Sequence, residues 1–254
     1  MSCPVCYTQY EVIPAAGKTV NEFSIALAMD EEFCYGTEPA PVTGGVLALN
    51  DYEAAYFTRS RNLILSEARD SVVPDWGDIY IAGEECWLVS DSGINLYTSE
   101  GRCENIRKNF EGFYILCINR SLKGYMMTGY DDKVSVFYFG EWLKCYFFRN
   151  GKTIVDAMDF SRVNHDAILA TCEMFDRELK GQCQKIGKDY YILCCAALRQ
   201  AAGAHKLVEN GNGELLFLSR ENNSGGFIGT VDVSYPSIPL FLLYNPELVN
   251  AMIR

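Results

Sequence analysis

The chain has 254 residues, and 49% of them belong to the apolar set, which is enough to bury one large core or two modest ones and excludes a disordered polypeptide. Its formal charge of -11, from 22 basic and 33 acidic residues, leaves no run of Lys or Arg to track phosphates, so neither nucleic acid nor membrane is expected as a partner. No apolar run is long enough for an ordinary transmembrane helix, and the start Met1-Ser2-Cys3-Pro4 shows no secretory signal; the expectation is a cytoplasmic protein.

The first forty residues mix Glu11, Glu22, Asp30, Glu31, Glu32 and Glu38 with Phe23, Ile25, Leu27, Phe33 and Tyr35, which suggests an ordered piece with a wet acidic face. Further on, short apolar or alternating runs read as strands: Gly45–Leu49, Ile79–Ala82, Cys86–Val89, Gly112–Ile118, Gly124–Met127 and Val134–Phe139. Turn material such as Gly44, Asp75, Asp91-Ser92-Gly93 and Asp131-Asp132 bounds them. Strands at this spacing predict a β-sandwich over residues 1–150. Trp76, Trp87 and Trp142 are expected in core positions, with saccharide stacking as the alternative.

Around Asn150-Gly151-Lys152 the period changes. Ile168, Cys172, Phe175 and Leu179 recur at helical spacing. A second helix is predicted from Asp189 to Val208, with Tyr191, Cys194 or Cys195, Leu198 and Ala202 inward, and the two helices form a hairpin through Gly181 and Gly187. Asn210-Gly211-Asn212-Gly213 is a turn, Leu215–Leu218 is too short for a helix, and a loop runs on to Tyr235-Pro236. Asn245-Pro246-Glu247 then carries helix-start chemistry, with a capping Asn, Pro at the first helical position and an acid in the first turn. Residues 151–254 are thus a helical domain that follows the sandwich.

Of the 11 cysteines, Cys3 and Cys6 form a lone C-x-x-C. With only His165 and His205 to help, a zinc site lacks its second ligand pair, and most cysteines are expected as reduced, half-buried small hydrophobes. His205 reads as a packing or helix-terminus residue, and its spacing from Arg199 puts the two on different helix faces. No metal or cofactor is expected.

The densest polar cluster runs from Ser219 to Tyr235. Glu221 and Asp232 sit in a segment framed by short apolar runs and holding Gly225-Gly226, and a loop of this kind can bring two carboxylates to one cavity for general acid and base work. A surface loop whose Asp and Asn residues merely cap turns fits the same spacing. Two carboxylates in sequence do not orient themselves.

Two stretches carry a resemblance. Tyr191-Ile192-Leu193-Cys194-Cys195-Ala196-Ala197-Leu198-Arg199-Gln200 with Ala204-His205-Lys206-Leu207-Val208 resembles the first barrel-helix motif of the glutaminase A-like family. The run Ser219-Arg220-Glu221-Asn222, Gly229-Thr230-Val231-Asp232-Val233, Tyr235-Pro236, Pro239-Leu240-Phe241 and Tyr244-Asn245-Pro246-Glu247-Leu248 is similar to that family's long signature. More weakly, Tyr138-Phe139-Gly140 and Gly151-Lys152-Thr153-Ile154 match the approach to its helical domain. The sequence departs from the family at Asn223, where phenylalanine is usual, and at Gly225, where asparagine is common; both bear on substrate contacts more than on the carboxylates.

The resemblance implies an α+β multidomain fold, with an N-terminal β-sandwich followed by the first hairpin or hairpins of an incomplete (α/α)6 toroid. It implies a hydrolase acting on the side-chain amide of glutamine, without a cofactor. Glu221 and Asp232 would be catalytic, and Arg220, Asn222 and Tyr235 would bind a small polar substrate. The toroid's kinship with six-hairpin glycosidases makes a glycoside the alternative substrate, and a noncatalytic carbohydrate-binding or structural fragment is the third reading. Family members continue for several hundred residues, so the expectation is an amino-terminal or internal fragment that self-associates through its incomplete helical domain.

Overall fold

A computed structural model describes residues 3–35, 41–59, 77–101, 113–220 and 227–254. The described chain divides into two compact units. One draws on Pro4–Ile64 and Val73–Lys133, and the other on Cys3 and Val134–Arg254.

In the first unit the strands are β1 (Val5–Glu11), β2 (Ile25–Asp30), β3 (Val42–Ala48), β4 (Glu53–Arg59), β5 (Asp78–Gly83), β6 (Glu85–Ser90), β7 (Phe113–Asn119) and β8 (Lys123–Asp131). Among the described residues they form a five-stranded sheet, β1-β8-β5-β4-β3, and a three-stranded sheet, β2-β7-β6, with antiparallel pairing throughout. Period-two alternation puts Ala55, Phe57, Ile79, Ile81 and Met126 of the first sheet against Cys86, Ile115 and Cys117 of the second, with Ile25, Leu27 and Met29 at the margin. This is the expected sandwich. On the outer face of the smaller sheet, Val89, Leu116 and Ile118 pack under Ile94 and Tyr97 of helix α1 (Asp91–Glu100).

The chain crosses between the sheets at Gly83-Glu84. A side chain at Gly83 would drive its Cβ into the Cys117 sulfur and the Asn119 amide oxygen. Asn119, nearly buried, accepts from the Glu84 N–H at 2.8 Å through Oδ1 and donates to the Tyr125 carbonyl at 2.9 Å through Nδ2. One amide thus satisfies a backbone group of the β5–β6 connection and one of β8.

Two readings over residues 1–150 change. Asp91-Ser92-Gly93, read as a turn, opens α1: the Ser90 hydroxyl caps it by accepting from the Gly93 N–H at 3.2 Å. Trp142 is 56% exposed rather than in a core, tilted against Phe137 with ring centroids 4.6 Å apart. Trp87 is half-buried beside Leu116 and Ile118, while Trp76 lies outside the described residues.

The second unit starts with the hairpin β9 (Val136–Tyr138) and β10 (Glu141–Leu143), followed by a 3-10 turn, Tyr146–Gly151, that buries Phe147 and Phe148. Asn150 and Gly151 adopt φ of 61° and 76°, which ends the turn, and α2 (Ile154–Val163) begins at once. A capping box starts it: the Thr153 hydroxyl accepts from the Asp156 N–H, and the Asp156 carboxylate accepts from the Thr153 N–H at 2.7 Å. The helices α3 (His165–Cys183) and α4 (Lys188–Gly203) form the predicted hairpin. Tyr191, Cys194, Cys195, Leu198 and Ala202 are half-buried on α4, as the periodicity indicated, and Ala201 joins them.

The helix does not reach Val208. After Gly203 the chain becomes β11 (His205–Glu209), paired with β12 (Leu215–Ser219) through a turn at Asn210–Gly213. Extended backbone wins because this hairpin has two dry faces. Val208, Leu216 and Leu218 pack with Val136 and Leu143, while Leu207, Leu215 and Phe217 pack with Phe241, Leu248 and Val249. A helix would present one face; a strand with side chains on alternate sides serves both cores. The chain then forms α5 (Val231–Tyr244) and α6 (Pro246–Met252), the latter starting at Pro246 as expected.

Candidate functional site

The expected loop to Tyr235-Pro236 is instead the first part of α5, although Pro236 and Pro239 lie inside it. Proline lacks an N–H and cannot bond the carbonyl four residues back. Pro236 therefore deprives the Asp232 carbonyl of its helical partner, and Pro239 deprives that of Tyr235. Such a helix is poor in isolation, and packing supplies what propensity withholds. Ile238, Leu240 and Phe241 reach the core under β12.

Two polar ties set the rotation of α5. The Ser219 hydroxyl, with no exposed surface, meets the Ser234 hydroxyl at 2.7 Å. One turn on, the Ser237 hydroxyl faces two acceptors, the Ser234 carbonyl at 2.8 Å and His205 Nε2 at 3.3 Å, and shares its one proton between them. His205 is stacked on Phe217, with centroids 4.7 Å apart, and meets Phe241 edge-on; its Nδ1 donates to the Ala201 carbonyl at 2.7 Å. Burial pushes the imidazole below its ordinary 6.5, against the raising effect of that carbonyl, so the ring is neutral and carries its hydrogen on Nδ1. His205 is thus a packing residue, placed just past the end of α4 rather than within it.

With Ser234, Ser237, Ile238 and Phe241 turned inward, the opposite face of α5 is open. Asp232 and Tyr235, three residues apart, share that exposed face, and Tyr235 is 74% exposed. Asp232 lies in the first helical turn, where the helix dipole favours its negative charge. Arg220, half-buried, follows β12: its N–H donates to the Ala204 carbonyl at 2.7 Å, and it forms an antiparallel bridge with Ile228. That bridge, with the Gly229 N–H on the Ser219 carbonyl at 2.8 Å, brings together the two ends of the segment between them. Gly229, at φ 70°, makes the turn into α5 in a conformation that other residues rarely adopt. Glu221 and Asn222 lie outside the described residues. No ion pair among the described residues joins Arg220 to Asp232.

The geometry therefore puts Asp232 with Tyr235 on one helix and Arg220 at the end of the preceding strand. The sequence reading took His205 as a packing residue but missed the supporting serines Ser219, Ser234 and Ser237. The spacing of Ser234, Ser237 and Phe241 was the available signal, and the two prolines masked it. Elsewhere in the unit, an apolar groove of about 330 Å³ runs between α3, α4 and α5, lined by Leu179, Cys183, Tyr190, Cys194, Leu240 and Leu243 among others. None of the described site residues, Arg220, Asp232 and Tyr235, lines it.

Among the described residues, no group of three or more His, Cys, Asp and Glu side chains gathers as a metal site, and no helix is long and apolar enough to cross a membrane. Cys3 sits 3.3 Å from the Ser161 hydroxyl, and Cys6 is exposed on β1.

Comparison with known proteins covers this same region. Residues 187–254, from the start of α4 to the last residue, match the model of the glutaminase A six helical-hairpin domain. Glutaminase A of Aspergillus oryzae (strain ATCC 42149 / RIB 40) is 30% identical over 112 residues, which is 44% of this chain and 16% of that protein. The match thus spans about one sixth of the length of that relative. Residues 187–254 are accordingly similar to part of the glutaminase A six helical-hairpin domain, and the likeness to glutaminase A is at the superfamily level.

Proposed function

We propose that this chain contributes to a hydrolase acting on the side-chain amide of glutamine, with Asp232 and Glu221 as its carboxylates and Arg220, Asn222 and Tyr235 as substrate contacts. The observation that carries the reading is the exposed face of α5 within the matched domain. It offers the Asp232 carboxylate, the Tyr235 phenol and, because of Pro236 and Pro239, two backbone carbonyls without an N–H donor four residues on. That face is rich in acceptors. A primary amide presents two N–H donors, and an α-ammonium group presents three. A glycoside hydroxyl, which must also accept, fits it less well.

In this reading one carboxylate takes a proton from the attacking water, and the other supplies one to the departing ammonia. The Arg220 guanidinium suits the substrate's α-carboxylate, which it can grip with two parallel N–H bonds. The test is ammonia release from l-glutamine by the full-length gene product and by its Asp232→Asn variant. A fall in kcat of about 10²-fold or more is expected with the fold unchanged. An unaltered kcat removes Asp232 from the chemistry, and cleavage of a glycoside without glutamine turnover favours the glycosidase reading.

A noncatalytic saccharide-binding role has one observation in its favour, the exposed Phe137 and Trp142 rings on the β9–β10 hairpin. Saturable binding in a glycan panel that is lost in Trp142→Ala would support it.

A further inference from the structure

We propose that Cys86 and Cys117 are a modification site, closing into a cross-strand disulfide when the chain folds in the presence of a low-molecular-weight disulfide such as oxidised glutathione.

The two residues are register partners in the antiparallel pair of β6 and β7. Among the described cysteines they are the ones that face each other across a ladder. The Cys86 N–H is turned away from β7 and donates to the Glu53 carboxylate at 2.8 Å. Facing residues that do not exchange N–H···O bonds are the close pairs of an antiparallel ladder, with Cα atoms about 4.5 Å apart. A disulfide takes Cα separations of about 4.4–6.8 Å, so this pair can be bridged without moving the backbone. Both side chains point into the same core, at 5% and 0% exposure. The Cys86 thiol also donates to the Glu53 carbonyl at 3.3 Å. Gly83 leaves the space that the Cys117 sulfur occupies, since a Cβ there would overlap it.

The chemistry is thiol–disulfide exchange. One cysteine thiolate attacks a sulfur of oxidised glutathione, breaks its S–S bond and releases the first glutathione thiolate. The other cysteine then displaces the second glutathione from the mixed disulfide. One protein S–S bond replaces one glutathione S–S bond, two electrons pass to glutathione, and the two thiol protons end on the two released glutathione molecules. Burial and the neighbouring Cys86 push the Cys117 thiol far up, so the folded core neither admits the oxidant nor supplies thiolate. Exchange therefore belongs to the folding chain, before the sheets close.

The full chain is unfolded with reductant and refolded in glutathione buffers of graded oxidised-to-reduced ratio. It is then quenched in acid, alkylated and digested. The expected result is a peptide linking residues 86 and 117 in most of the native monomer at oxidising ratios, disappearing at reducing ones. The urea midpoint should rise with oxidation in the wild type and lose that dependence in Cys86→Ser. A second arm avoids refolding by comparing chain made in the bacterial periplasm with chain made in the cytosol, and the link is expected only in the first. Native monomer with both thiols alkylated under every condition, or with either cysteine bridged to a different partner, overturns the proposal.

Discussion

Ser219 at the end of β12 and Ser234 on α5 bring their hydroxyl oxygens to 2.7 Å with Ser219 wholly buried, so this hydrogen bond helps set which face of α5 meets the core. Removing it leaves the Ser219 hydroxyl with only the Thr230 carbonyl at 3.4 Å. Ser234→Ala is expected to cost about 1–3 kcal/mol, the usual range for a buried polar group that loses its partner. The Ser219→Ala/Ser234→Ala double variant should cost less than the two single changes added together, because no orphan remains. Urea unfolding of the four proteins provides the comparison, and full additivity would show that the bond carries no coupling.

His205 makes stability depend on pH. Its folded pKa lies below the ordinary 6.5, so the unfolded chain binds a proton that the folded one refuses. The associated stability is present above 6.5 and is lost as pH falls from there through the depressed folded value. His205→Phe keeps a ring against Phe217 and Phe241 and removes the titration. Its urea midpoint should therefore vary less than the wild type's between about pH 8 and pH 5. Equal slopes would exclude the imidazole as the source.

At Gly83 the obstacle is steric rather than conformational, since the Cβ would overlap Cys117 and Asn119 where the chain passes between the sheets. Gly83→Ala is expected to destabilise by about 1–3 kcal/mol, as overpacking does in a closed core. Thermal unfolding followed by circular dichroism measures this, and a gain in Tm would contradict the crowding.

The capping box of α2 has two separable signatures. Thr153→Ala should cost about 1 kcal/mol of stability in denaturant unfolding. The Thr153 hydroxyl and N–H hold the Asp156 carboxyl below its ordinary 3.8, so its contribution is present above 3.8 and lost as pH falls through the lower folded value. In the Thr153→Ala variant, carboxyl NMR titration should find Asp156 nearer 3.8. An unmoved titration would show that the N–H alone sets it.

Several elements were legible because their signals are local. β5 to β8 are short apolar runs between turn residues, and α4 repeats Tyr191, Cys194, Leu198 and Ala202 at helical spacing. β4 escaped notice because Ala54 and Ala55 are weak strand formers; they suit a central strand whose neighbours crowd it on both sides. Helix α1 was hidden by Ser92 and Gly93, residues that also make turns. β11 continued a helical pattern through Ala204, His205 and Val208, and became a strand because it pairs with β12 between two cores.

The candidate site divides the same way. Asp232 could be picked out as chemistry-bearing from its place in a dense polar segment, since side-chain type and spacing are properties of the chain, whereas Arg220 and Tyr235 were named as site residues through the family resemblance. Their presentation was settled by tertiary packing. Pro236 and Pro239 take two bonds out of α5, and no local preference makes that segment a helix. Burial of Ile238 and Phe241, with the ties from Ser219 to Ser234 and from His205 to Ser237, holds it helical and turns Asp232 and Tyr235 outward. Propensity is a sum over neighbours in sequence, whereas those contacts join residues fifteen and thirty-two positions apart, and only the folded chain brings them together.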